Sequence, residues 1–218
     1  SVDLVLTDPP YTDQVPYLEY NQLWLYLFGM ENMFNLEEEL VVSDAPTRNK
    51  SQDDFDSILN GIIKRTASSL KEGGVFVMFY HTFDLRSWSN ILMMMQENHL
   101  RYVYQIPTAT PRKSFKTIMS PRSTLDGNYL LFFIKDSESG NKEFKGDLSD
   151  AIEMANSCAE SIIRSREHVT TQDLYDQGML KEAFEEGYLF TLSKKYKTFA
   201  DVLRDNCKYE NGYWEVQE

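Results

Sequence analysis

The chain has 218 residues, enough for one sizeable core or for a main domain with a small appendage. Its net charge of −12 argues against an unspecific nucleic-acid coat protein, because phosphate binding needs clustered Lys and Arg. No apolar run approaches the roughly 20 residues of a membrane span, and two distant cysteines, Cys158 and Cys207, make no disulfide framework, so a cytoplasmic protein without membrane contact is expected.

Val2 to Leu6 alternates too little for a half-exposed strand and reads as a short buried one, covered on both faces. It begins directly after Ser1 with no turn or cap ahead of it, which leads us to expect a longer parent chain. The strand ends at Asp8-Pro9-Pro10, where two prolines forbid both ladder and helix. Pro16 to Phe28 is an aromatic-rich helix stopped by Gly29, and residues 30 to 50 read as a loop or mobile insertion. Ser51 to Leu70 begins with a Ser cap and repeats apolar residues at helical spacing until Gly73-Gly74 ends the unit.

Val75 to Tyr80 is then a second buried strand, Asp84 to Glu97 a second crossover helix, and Tyr102 to Ile106 a third strand. This alternation is an α/β pattern with parallel strands. Asn128 to Lys135 follows without an intervening helix, so it is expected to run antiparallel to its predecessor. The tail changes to charged helices, Leu148 to Arg166, Thr171 to Glu186 and Phe199 to Asn206, closed by a hairpin at Asn211-Gly212. A small appended helical domain is expected there, with a winged helix as one form it could take.

The chemistry concentrates at Asp8-Pro9-Pro10-Tyr11. A fixed tetrapeptide of this kind arises by chance in roughly one chain in a thousand of this length, so a mere proline turn is the weaker reading. An aromatic exocyclic amine is a poor nucleophile because its lone pair is delocalised into the ring. The Asp8 carboxylate and the Pro9 carbonyl can both accept hydrogen bonds from such an amine, drawing it toward tetrahedral geometry and restoring the lone pair. Tyr11 offers a flat face for stacking a base. A strand end is where ligands bind in open α/β sheets.

Those residues resemble the catalytic motif of DNA adenine-N6 and cytosine-N4 methyltransferases. The continuation Thr12-Asp13-Gln14-Val15-Pro16-Tyr17 is similar to a little-characterised bacterial group of DNA methylases, as is the landmark Leu70-Lys71-Glu72-Gly73-Gly74 followed by His81. The resemblance covers about residues 1 to 135. It implies methylation of an exocyclic amine of a DNA base, adenine N6 ahead of cytosine N4, with S-adenosylmethionine as methyl donor and a bacterial or phage source. The implied fold is the C-terminal half of a Rossmann-like methyltransferase sheet ending in an antiparallel strand. Residues 1–136 would form the catalytic half and 147–218 the small helical domain.

Within that reading, Asp8, Pro9, Pro10 and Tyr11 are catalytic, and Asp8 also borders the donor. Tyr17, His81, Arg112, Lys113, Lys116 and Arg122 are assigned to substrate. His81 has a structural role as its alternative. The aromatic cluster of Tyr17, Tyr20, Trp24 and Tyr26 is expected mainly to pack in the core, with holding a flipped base as the alternative. From Arg101 to Leu125 the sequence carries five basic residues and no acid, a local exception in an acidic chain and a place for a phosphate backbone to pass. His99 and His168 have no partners at ligand spacing, so no metal is expected.

Donor binding should also need a glycine-rich turn. The ten glycines include no Gly-x-Gly pair, so the missing N-terminal half or a partner chain would have to supply it. A non-catalytic or split module used in DNA targeting is the alternative to a complete enzyme, and an RNA base or a protein amide is the alternative substrate. Charge reversal at Arg112 and Lys113 is expected to weaken DNA binding and to flatten its dependence on salt concentration. An unchanged salt slope would discard the basic segment as a phosphate contact.

Overall fold

Four strands, β1 (Val2–Thr7), β2 (Leu70–Tyr80), β3 (Leu100–Thr108) and β4 (Asn128–Lys135), form one mixed sheet in the computed structural model, in the order β1-β2-β4-β3. The structure describes residues 1–10, 17–33, 35–46, 49–108, 127–140 and 143–217. β1 runs parallel to β2, and β4 lies between β2 and β3, antiparallel to both. A loop-joined final strand therefore reverses direction as expected, and it enters the sheet beside its predecessor instead of extending the edge.

The helices are α1 (Tyr17–Leu27), α2 (Gln52–Ser69), α3 (Leu85–Glu97), α4 (Leu148–Arg164), α5 (Thr171–Asp176), α6 (Met179–Glu185), α7 (Leu189–Lys195) and α8 (Phe199–Val202). Ser51 caps α2 in a full capping box with Asp54, and Asp84 caps α3 through the Arg86 amide. Residues 171 to 186, expected as one helix, are two, because Gly178 at φ 102° breaks the run before Met179. The helix α7 was not expected. Asn211 (φ 51°) and Gly212 (φ 91°) make the hairpin turn joining β5 (Cys207–Glu210) to β6 (Tyr213–Val216).

Gly73-Gly74 does not separate helix from strand. β2 already begins at Leu70, and Gly74 sits where an added Cβ would meet the Lys71 carbonyl oxygen at 2.8 Å and the Asp3 carbonyl oxygen at 3.2 Å. The pair of glycines accommodates an irregularity in the register between β1 and β2. Residues 30 to 50 contain two short 3-10 turns and a bridge between Ser43 and Lys50. Lys50 is buried there and donates to the Glu39 carbonyl, while Glu39 accepts from the Leu18 amide at the start of α1.

One face of the sheet carries the core. Phe76, Met78 and Tyr80 of β2, Tyr129, Leu131 and Phe133 of β4, and Leu100 and Tyr102 of β3 join α2, α3 and the C-terminal helices in one continuous cluster. Aromatic rings interlock through it, with Trp88 packing edge-on against both Tyr80 and Tyr129. Of the three adjacent methionines, Met95 is fully buried, as core filling requires. Helix α3 packs on α7, and α5 reaches β3. Residues on both sides of position 140 thus share a core.

The opposite face is different, and it corrects two expectations. Strand β1 is not buried: Val2, Leu4 and Leu6 are exposed at the sheet edge, and only Val5 packs against the core. The aromatic cluster of α1 does not pack inside either, since Tyr17, Tyr20, Trp24 and Tyr26 are all exposed and α1 has no buried residue. Among the described residues nothing large covers them, so their apolar character does not bring burial. Phe132 and Phe133 are chain neighbours on these two faces, the first half-buried and the second fully buried. Phe133→Ala should cost about 3–5 kcal/mol in urea unfolding, and Phe132→Ala no more than about 2 kcal/mol; equal losses would contradict the one-sided core.

Candidate functional site

Because β1 and β2 are parallel, both carboxyl ends fall on one edge of the sheet. Thr7 pairs with Met78, so Asp8 follows β1 at the level where β2 runs into Tyr80 and His81. Asp8 is exposed, and Pro9 and Pro10 are half-buried. The two prolines line a narrow cleft with Phe55, Asp56, Tyr80 and Asn90. The enclosed space is about 20 Å³, room for about one water molecule. The cleft thus supports the turn from behind and is too small to hold a base.

Behind the prolines, Asp56 accepts from Gln52 Nε2 at 2.9 Å and from Asn90 Nδ2 at 2.8 Å, so its carboxylate links α2 to α3. The segment after β2 is held at nearly every residue. The His81 Nδ1 lies 2.5 Å from the Gly127 carbonyl oxygen. A carbonyl only accepts, so Nδ1 carries the proton. The Thr82 carbonyl accepts from Trp88 Nε1 at 2.8 Å, and the Phe83 carbonyl accepts from the Tyr175 hydroxyl at 3.0 Å. Thr108 Oγ1 donates to the Asn128 carbonyl at 2.8 Å and joins the ends of β3 and β4.

The sequence-derived site residues divide accordingly. Asp8, Pro9, Pro10 and His81 stand on the same sheet edge, with the prolines and Tyr80 sharing the cleft. Tyr17 opens α1 as an exposed side chain. Tyr11, Arg112, Lys113, Lys116 and Arg122 lie outside the described residues. His81 is engaged with the chain through Nδ1, which leaves Nε2 as its remaining polar position.

A second group at this edge was not foreseen. Tyr129, at the start of β4, donates its hydroxyl to Asp176 Oδ1 at 2.8 Å, and Gln172 Nε2 donates to both. Gln105 donates to the Tyr175 carbonyl at 3.0 Å. Helix α5 is thereby fastened to β3, β4 and the residues after β2. Gln172 and Asp176 are one turn apart, a spacing common to many surface helices, so no signal in the sequence pointed to Tyr129 as their partner.

Burial is the largest influence on Asp176 and raises its pKa. Hydrogen bonds from Tyr129 and Gln172 oppose the rise, as does the charge of Arg166, while Asp173 adds to it. The Tyr129 hydroxyl is raised as well, first by burial and then by the Asp176 charge.

The described residues do not make a complete site for S-adenosylmethionine. The cleft beside Pro9 and Pro10 is too small, and no glycine-rich turn lies at the carboxyl ends of β1 or β2. Among the described residues no group of three His, Cys, Asp or Glu side chains could hold a metal ion, and no helix is long and apolar enough to cross a membrane. No family model, curated protein or solved structure matches the chain.

An acid whose folded pKa is raised favours folding most when protonated, so the Asp176 contribution is fully present below about pH 4 and is lost as pH rises through the raised value. The amide of Asp176→Asn cannot ionise. Its melting temperature should therefore gain on that of the native protein between pH 4 and pH 7; a gap that moves the other way would contradict the buried-acid assignment.

Proposed function

We propose that this chain supplies the target-amine side of a methyl-transfer site for a nucleobase, adenine N6 ahead of cytosine N4 in DNA. The observation that carries the reading is the position of Asp8-Pro9-Pro10, directly after a strand of a mixed α/β sheet and at its carboxyl edge. The finer fold assignment, the C-terminal half of a Rossmann-like methyltransferase sheet, rests on the strand order β1-β2-β4-β3 with an antiparallel strand inserted beside the last parallel one.

In this reading the exocyclic amine donates one hydrogen bond to the Asp8 carboxylate and the other to the Pro9 carbonyl. Two acceptors at fixed positions pull both N–H bonds out of the ring plane, which localises the lone pair on nitrogen. The Pro9-Pro10 backbone is suited to this because proline fixes φ and removes a donor that would compete for the acceptors. The cleft network of Asp56, Gln52 and Asn90 holds the turn from behind. Tyr11 stacks on the base, and the basic residues Arg112, Lys113, Lys116 and Arg122 meet the phosphate backbone. His81 holds the start of β4 at the same edge.

S-adenosylmethionine would supply the methyl group. Because the described residues do not form its site, the donor half belongs to polypeptide outside them, which favours a split or partial module over a complete enzyme. Cytoplasmic DNA in a bacterial or phage setting is the substrate this reading implies, with an RNA base or a protein amide as the competing choice.

Ligand-observed NMR tests the amine assignment without the donor. Saturation transfer from the chain should be stronger to adenosine than to purine riboside, which lacks the amino group. Asp8→Ala should remove that preference and weaken adenosine binding by about tenfold, the loss of one charge-assisted hydrogen bond. Equal signals from adenosine and purine riboside in the native chain would sink the assignment, and a stronger response from cytidine would move the target to N4.

A further inference from the structure

The sheet has a second face, and it is apolar on all four strands. Register places Leu4 beside Val75 and Leu6 beside Val77. It also pairs Val75 with Ile134, Val77 with Phe132 and Phe79 with Leu130, and sets Tyr104 and Ile106 opposite Phe132 and Leu130. Side chains alternate across a strand, so these ten residues share the face turned away from the core. None of them belongs to the core cluster. Leu4 is 58% exposed, Leu6 63%, Tyr104 45% and Ile106 42%, while Tyr104 and Phe132 stack at 4.4 Å on the open side.

We propose that this face is a docking surface for a layer of amphipathic helices, aliphatic on the side that meets the sheet and cationic on the flanks. Four arguments select that occupant. First, β1 and β2 are parallel and β3 is antiparallel to the same strand as β2, so three of the four strands run one way. Sheets built mainly from parallel strands are covered by helices on both faces, and here helices cover only one.

Second, the size fits. Strands about 4.8 Å apart span roughly 15 Å across the sheet, the width of one to two helices of about 10 Å diameter. Third, the outer edge of β1 pairs with no strand among the described residues, and the edge carries no lysine or proline to block pairing. A strand-bearing helical partner would close edge and face together. Fourth, the chain carries a net charge of −12, which favours basic flanks on whatever lies against it.

The inference stands on the sheet geometry and does not require the methyl-transfer reading. Its test uses the chain itself and a fluorescein-labelled helical peptide of Leu and Lys, with leucines on one helical face. A scrambled peptide of the same composition serves as the comparison. The chain should be monomeric in sedimentation velocity and bind the amphipathic peptide but not the scrambled one. Leu4→Lys combined with Ile106→Lys, at opposite sides of the face, should weaken binding by about tenfold or more, with the melting curve showing that the variant still folds.

Ser149→Lys with Ser157→Lys adds the same charge on the exposed side of α4 and should leave affinity unchanged. Equal weakening by both pairs would reduce the effect to charge alone and overturn the proposal. Failure to bind the amphipathic peptide would overturn it as well. A stable dimer that Leu4→Lys with Ile106→Lys dissociates would assign the face to a second copy of the chain.

Discussion

The antiparallel ladder between β2 and β4 is the constraint on which the rest of the structure depends. Residues Val75 to Tyr80 pair in unbroken succession with Ile134 to Tyr129. Because side chains alternate across a strand, one register decides everything that follows. It sends Phe76, Met78, Tyr80, Tyr129, Leu131 and Phe133 to the helical side and Val75, Val77, Phe79, Leu130, Phe132 and Ile134 to the other. A slip of one residue would exchange the two faces and leave Trp88, α4 and α7 without the core they pack against.

The same ladder aligns the candidate site. By lying antiparallel between β2 and β3, β4 begins at the edge where β1 and β2 end, so Gly127, Asn128 and Tyr129 arrive beside His81 and Thr108. The C-terminal helices then fasten that edge through side chains far apart in sequence. Tyr175 reaches the Phe83 carbonyl, Asp176 and Gln172 reach Tyr129, and the Leu85 amide donates to the Lys197 carbonyl at 2.8 Å. These bonds hold the residues after β2 still from a direction opposite to the Pro9-Pro10 turn. A rigid edge suits the positioning of an amine between two acceptors, where small displacements cost most.

Much of this was legible in the sequence because it is local. The Ser51 cap, the Asp84 start of α3, the Asn211-Gly212 turn and the extent of β4 each follow from chemistry within a few residues. Gly73-Gly74 misled because glycine reads alike as a helix stop and as a strand irregularity, and only the nearby Asp3 carbonyl distinguishes them. The run after Thr171 misled because Gly178 interrupts a helical pattern without altering its composition. The Tyr129, Gln172 and Asp176 group was invisible, since its members lie more than 40 residues apart and none is unusual alone.

The sequence by itself determined the α/β alternation, the reversal of the last strand and the Asp8-Pro9-Pro10 turn at the end of β1, because turn chemistry, caps and apolar periodicity act over short spans of chain. Tertiary structure alone decided which apolar residues are covered. Val2 to Leu6 and the aromatic residues of α1 have the composition of a core, yet they face outward, while Phe133 and its neighbour Phe132 differ only by the side of the sheet on which they fall. Burial depends on what packs against a residue as well as on the residue itself, and that partner surface is assembled from distant parts of the chain.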